Sequence, residues 1–319
     1  MPARRLSPVT RSGIAAAVAL LALTGCSSSG SGGEDPKSEP PVGDIPVLLD
    51  SKSLQFPLET YIPDATQRGT FGEAQDVLTD RCMKRYGYRY TVRSRGTERG
   101  DNATRYGVSS AVSAARYGYS NPELAESRPK PAQKALGTNE KLILHGEDKV
   151  DPSKAVPMSQ EEAEKSDKGA TTVAGKKVPA GGCVREGFLK LYAPTEESVD
   201  IMVPQNFAFD ANGRSRQDSR VAKAVKAWSA CMAEQGYRTD DPVSPQSDLG
   251  FGDTSLTTPK AVAAARQDVA CKKETNLVGI WYAVEKAYQK RIIDQNAETL
   301  ETVKKQLEER LRLAAELTS

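Results

Sequence analysis

"DRCMKRYGYRY" (Asp80–Tyr90) and "SACMAEQGYRT" (Ser229–Thr239) carry the same pattern, C-M-x-x-x-G-Y, at Cys82–Tyr88 and again at Cys231–Tyr237. The second copy sits in a legible context. In "SRVAKAVKAWSACMAEQ" (219–235), Val221, Val225, Trp228 and Met232 are spaced 4, 3 and 4, which is one face of a helix. Asp218 or Ser219 is available as its N-cap. Gly236 is where that helix stops, because a residue without a Cβ tolerates the positive φ needed just past a helix end. In a Schellman cap the residue after the glycine returns to the third-last helical residue, so Tyr237 should meet Met232. The same count at the first copy gives Gly87, Tyr88 and Met83. The motif therefore reads as a helix end. Its Cys points to a partner helix, its Met and Tyr close the cap, and its Gly makes the turn. The match fades upstream, where Trp228 aligns with Thr79, so the unit is a pseudo-repeat of a supersecondary element.

The N-terminus speaks to location. Arg4, Arg5 and Arg11 form a positive leader with no acid before Glu34, and "IAAAVALLAL" (14–23) is apolar. About ten residues span about 15 Å as a helix, half of a bilayer core, so this is a signal-peptide core and not a permanent span. It ends in "LTGC" (Leu23–Cys26), which resembles the lipobox of bacterial lipoproteins. That resemblance implies a signal peptide over 1–25 and a diacylglyceryl group on Cys26 as the first mature residue. It also implies acyl chains of the palmitate type and residence on the extracytoplasmic face of the cell membrane. Two acyl chains anchor stably where one is marginal. Residues 26–44 are rich in Ser, Gly, Pro and charge and read as a disordered tether, with a reach of roughly 20–25 Å. Loss of the leader's three arginines turns the formal charge of +2 into −1, which argues against a nucleic-acid binder.

An exported chain with an even number of further cysteines favours disulfides. Cys82, Cys183, Cys231 and Cys271 allow three connectivities. Cys82–Cys183 and Cys231–Cys271 are favoured because each closes within its own half. There is no C-x-x-C, and His145 is the only histidine, so neither metal nor cofactor is expected. The partner cysteines also sit on helical stretches: "CVREGFLKLYA" follows the turn "VPAGG", and Cys271 lies in "PKAVAAARQDVACKKETNLV". The expected fold is mainly α with minor β. It has two disulfide-clipped helical halves, 45–195 and 196–319, with long irregular excursions and a long C-terminal helix.

Several stretches together resemble a group of lipoproteins from high-GC Gram-positive (actinobacterial) organisms: "FPLETYIPDA" (56–65), "AQDVLTDRCMKRYGY" (74–88), "TRYGVSSAVSAARYGY" (104–119), "GKKVPAGGC" (175–183), "VKAWSACMAEQGY" (225–237) and "ARQDVACKKETNLVGIW" (265–281). The group is of unknown function. The resemblance implies export and disulfides, and it implies no substrate and no functional residue.

Residues 81–119 hold nine Lys or Arg against Glu98 and Asp101. After Gly87 the chain alternates, with Tyr88, Tyr90 and Val92 on one face and Arg89, Thr91 and Arg93 on the other, as in a strand. Such a basic, tyrosine-bearing surface suits phosphate-rich polymer or headgroups. The plainer account is a solvated strand face whose charge is balanced by acidic loops. "KLILH" (Lys141–His145) also reads as a strand, and His145 has no acid or nucleophile near it in sequence. No G-x-S-x-G, Walker loop or H-E-x-x-H occurs. From Leu277, apolar positions continue through 281, 284, 288 and 292 to 314, predicting one continuous helix from about Asn276 to at least Arg310, interrupted in pattern at Asn296. Its far end either projects toward a partner helix or, as is commoner for such a tail, packs on its own domain or frays.

The functional expectation is a lipid-anchored, non-enzymatic envelope protein. Its partners would be the membrane, through the anchor, and an anionic wall polymer or envelope protein. One alternative is an envelope hydrolase built on two carboxylates. Another is a scaffold that recruits a protein through the C-terminal helix.

Overall fold

Residues 38–92, 102–120, 136–146, 156–165 and 170–319 are described by the computed structural model. The signal peptide, Cys26, most of the tether, and Arg93, Arg95 and Arg99 of the basic stretch lie outside them. Glu39–Ser319 forms one compact unit.

An irregular strap, 39–56, leads to a 3-10 turn, Pro57–Tyr61. Then come α1 (Ala65–Lys84), α2 (Ala111–Tyr117), α3 (Thr138–His145) and α4 (Gln160–Lys165). An antiparallel hairpin follows, β1 (Thr171–Val173) with β2 (Lys176–Val178), Thr171 opposite Val178. The rest is helical: α5 (Gly182–Tyr192), α6 (Val203–Gln217), α7 (Ser219–Glu234), the single turn α8 (Pro245–Asp248), α9 (Pro259–Glu274), α10 (Leu277–Gln295) and α11 (Ala297–Thr318).

Side chains cap the starts of α1 and α7, at α7 as the sequence suggests. Asp64 accepts from the Gln67 N–H at 2.8 Å while the Gln67 side chain accepts from the Asp64 N–H, a reciprocal capping box. Asp218 caps α7 through the Arg220 N–H. Both copies of the repeated motif end a helix in the same way. The Tyr88 N–H donates to the Met83 carbonyl at 3.1 Å and the Gly87 N–H to Lys84 at 3.1 Å, with Gly87 at φ +83°. At the second copy, Tyr237 donates to Met232 at 2.9 Å and Gly236 to Ala233 at 3.0 Å, with Gly236 at φ +85°. Tyr88 packs on the cluster that holds buried Met83, and Tyr237 on the one that holds Met232. The disulfides are Cys82–Cys183, joining α1 to α5, and Cys231–Cys271, joining α7 to α9, with Cα separations of 5.5 and 5.7 Å.

The largest core lies on α10, where Trp281, Val284, Tyr288 and Ile292 meet Val221, Ala211, Tyr106 and the strap residues Leu54 and Phe56. Tyr106 stacks on Trp281 at 4.9 Å. Within this core Glu285 is wholly buried. It accepts from Arg105, Tyr106 Oη at 2.7 Å, Asn212 Nδ2 at 3.1 Å and Gln289 Nε2 at 3.3 Å. A second buried polar cluster joins α7 to α9: Trp228 Nε1 donates to Asp268 at 2.9 Å, and Lys272 donates to Asp268 at 3.1 Å and to the Val108 carbonyl at 2.8 Å. Segments of the two expected halves pack on one another, α1 and α5 on α11 and α2 on α9.

Four expectations need correction. "KLILH" is the end of α3, not a strand. Consecutive Ile143 and Leu144 are both buried, which a helix beside β1 permits and an alternating half-buried strand does not. Tyr88–Val92 forms no ladder among the described residues. Its faces do alternate, with Tyr88 and Tyr90 packed inward, but the Tyr90 N–H is taken by the Asp80 carboxylate at 2.9 Å instead of by a neighbouring strand. The C-terminal helix is two helices, broken at Asn296 (φ −127°), whose side chain bonds the Ile292 carbonyl at 2.8 Å and competes with the helical ladder. Of the outcomes expected for its far end, packing on the body is the one found: Leu300, Val303, Leu307 and Ala314 are buried, and α11 lies along α1. The strap also begins earlier than the tether boundary at 44, since Glu39 accepts from Ser219 N and Oγ and Pro40 accepts from Arg220.

Candidate functional site

Two variable positions of the first motif, Arg85 and Tyr86, help build a cleft. Arg85 and Tyr86 follow Met83 in the turn that ends α1, so the cap that reverses the chain also presents them outward. One helical turn after Cys183, α5 presents Glu186. Arg85 and Glu186 each stand three residues past a bonded cysteine, and the disulfide brings them together. Arg85 Nη1 donates to Glu186 Oε1 at 3.0 Å, and Nη2 bonds Oε2 and also reaches Cys82 Sγ at 3.1 Å. Lys190, one further turn along α5, donates to Glu186 Oε1 at 2.5 Å. The hairpin closes the opposite wall. Lys176 Nζ donates to the Arg85 carbonyl at 3.0 Å, and Tyr86 Oη donates to the Lys177 carbonyl at 2.5 Å.

Together these residues enclose a cleft of about 480 Å³. Its lining holds four cations, Arg85, Lys176, Lys177 and Lys190, and two carboxylates, Glu164 and Glu186. That volume suits a small ligand or one segment of a polymer. Burial pushes the Glu186 carboxyl up, but hydrogen bonds from Arg85 and Lys190 outweigh it and hold the group below the usual carboxylate value. The hydrogen bond to Glu186 raises Arg85 above its ordinary value. Glu186 is thus a fixed negative charge that orients two cations. Comparison of the chain with protein-family models, with curated proteins and with solved structures gave no match.

The second motif carries Ala233, Glu234 and Gln235 where the first has Lys84, Arg85 and Tyr86. Ala233 lines a separate cavity of about 590 Å³ beside α7, bounded also by Arg216, Val225, Lys226 and Trp281. One helix-ending device therefore carries two different chemistries. Sequence reasoning placed Gly87 and Gly236 at the turns but missed that two of the three variable residues of the first copy, Arg85 and Tyr86, face a cleft. The spacing of Arg85 from Cys82 and of Glu186 from Cys183 was the available signal.

Among the described residues of the basic stretch, four of the six cations pair with acids, and these acids lie on helices instead of acidic loops. Lys84 and Arg89 pair with Asp80, Arg85 with Glu186 and Arg105 with Glu285. His145 is exposed at the end of α3. Among the described residues no group of three or more His, Cys, Asp or Glu is placed to hold a metal ion, and no helix is long and apolar enough to cross a membrane.

Proposed function

We propose that the chain is a lipid-anchored cell-envelope protein, acylated at Cys26 on the extracytoplasmic face, that binds a segment of an anionic wall polymer in the cleft beside the first disulfide. One observation carries the binding reading: four cations line the cleft against two carboxylates, and one of those carboxylates fixes Arg85 and Lys190 in place. Arg and Lys so oriented match phosphate or carboxylate oxygens, and ordering them beforehand lowers the entropic cost of binding. Tyr86 adds a ring against which a sugar face can pack. The reading is non-enzymatic. Both oxygens of Glu186 are engaged by Arg85 and Lys190, and the wholly buried Glu285 is already saturated by four partners. Recruitment through α11 has no supporting observation, because its apolar face is used against α1.

Titration with a glycerol-phosphate polymer and with a neutral glycan of similar length tests the binding. We expect salt-sensitive binding of the first only, weakened at least tenfold by Lys176→Glu with Lys177→Glu. Equal binding of the neutral glycan, or indifference to the charge reversal, would overturn it. For the anchor, Cys26→Ser should release the protein from the membrane fraction or leave the precursor uncleaved.

A further inference from the structure

The strap carries a row of apolar side chains that the fold does not use. Ile45, Val47 and Leu49 alternate outward, with 45%, 77% and 61% of their surface exposed, while Val42 and Leu48 face the core. The row is held in position. The Asn276 side chain donates to the Pro46 carbonyl at 3.0 Å and accepts from the Leu48 N–H at 3.3 Å. Gly279 lets the strap sit so close to α10 that a Cβ there would fall 1.9 Å from the Pro46 oxygen. Three large aliphatics in five residues, fixed on the outer face of a pinned segment, form a concentration of exposed apolar surface of the kind that marks an interaction site.

Position along the chain points to the occupant. Twelve residues, 27–38, separate Cys26 from Glu39, where the strap is first bound to the body. Fully extended they span at most about 45 Å, and the strap is where this short tether joins the body. We infer that Ile45, Val47 and Leu49 insert into the acyl–headgroup boundary of the bilayer and fix the orientation of the body on the membrane. Asp44 and Asp50 bracket the row, so their carboxylates remain at headgroup level and limit insertion to the three side chains. This inference rests on acylation at Cys26 and is independent of what the cleft binds.

The test uses the full lipidated chain in phosphatidylcholine vesicles with brominated acyl chains, and Val47→Trp as the reporter. The parent protein, with Trp228 and Trp281 buried, supplies the background. We expect blue-shifted, quenched emission from Val47→Trp and no extra quenching from Met158→Trp, an exposed site close to Arg185. Adding Ile45→Ser and Leu49→Ser to the reporter should at least halve the quenching. Protein that floats with the vesicles while Trp emission at position 47 stays unquenched overturns the inference and leaves the anchor standing. A blue shift without vesicles that grows with protein concentration also overturns it, because a second copy then covers the row. Protein that fails to float overturns the anchor and the inference together.

Discussion

Gly87 and Gly236 separate two kinds of glycine effect at the residue scale. Both sit at positive φ with nothing within 4 Å of where a Cβ would be, so an alanine there pays only for its backbone conformation. Gly236→Ala should lower stability by about 1–2 kcal/mol in urea unfolding, and Gly236→Asn by less. Gly279→Ala is the contrast, since its φ is ordinary but its Cβ meets the Pro46 carbonyl. We expect it to loosen the strap, read as new protease sensitivity near Pro46, with little change in the unfolding midpoint of the helical core. Glu186 governs acid response at this scale. Its folded pKa lies below the ordinary 4.5, so as pH falls the unfolded chain takes up the proton first. The stability this group contributes is complete above about pH 5 and is lost as pH falls through the folded value. Glu186→Gln should flatten that part of the acid limb of the stability profile, and Asp218, also held low, should keep the remainder.

Helix α11 decides the question at the scale of elements. Its apolar positions follow the seam of α10 after one irregular residue, and the break at Asn296 leaves the burial pattern on register: nine of the eleven seam positions, all but Asn296 and Leu311, are buried. The seam was legible because burial of a helix face imposes a 3.6-residue period. The break was not, because Asn296 leaves the helical region while its N–H and its side chain both bond the Ile292 carbonyl, a local arrangement that sequence spacing does not encode. Truncation after Asn296 removes buried Leu300, Val303 and Leu307, on the order of 6 kcal/mol of apolar burial, comparable to a whole domain's stability. We expect the truncated chain to lose its cooperative thermal transition. A truncated chain that unfolds cooperatively near the parent temperature would show that α11 is dispensable.

For the molecule as a whole, the two disulfides differ in reach and in consequence. Cys82–Cys183 spans 101 residues and Cys231–Cys271 spans 40. Each double Cys→Ala variant should cost roughly 2–5 kcal/mol, and the longer loop about 0.8 kcal/mol more on the chain-entropy account. Only the first bond aligns Arg85 with Glu186, so its removal should also weaken polymer binding, whereas removal of the second should leave binding intact at temperatures where the protein stays folded. Calorimetry of the two variants with and without ligand separates these outcomes.

The sequence by itself determined the local, periodic features. The helix faces of α7 and α10 and both glycine turns follow from sterics and spacing that hold whatever surrounds them, whereas the cysteine pairing was one of three open connectivities until the fold brought Cys82 to Cys183 and Cys231 to Cys271. Tertiary structure alone decided the rest. "KLILH" became helical because α3 packs against α5 and β1, and Tyr90 gave its N–H to Asp80 because α1 lies beneath it. Two charges of the basic stretch found acids on helices far along the chain, Arg85 with Glu186 and Arg105 with Glu285 across 180 residues. The cleft belongs to the same class. Arg85, Lys176 and Glu186 are separated by up to 101 residues, and only the folded chain sets the Arg85 guanidinium on Glu186 and the Lys176 ammonium on the Arg85 carbonyl, where desolvation and geometry fix what the site can bind.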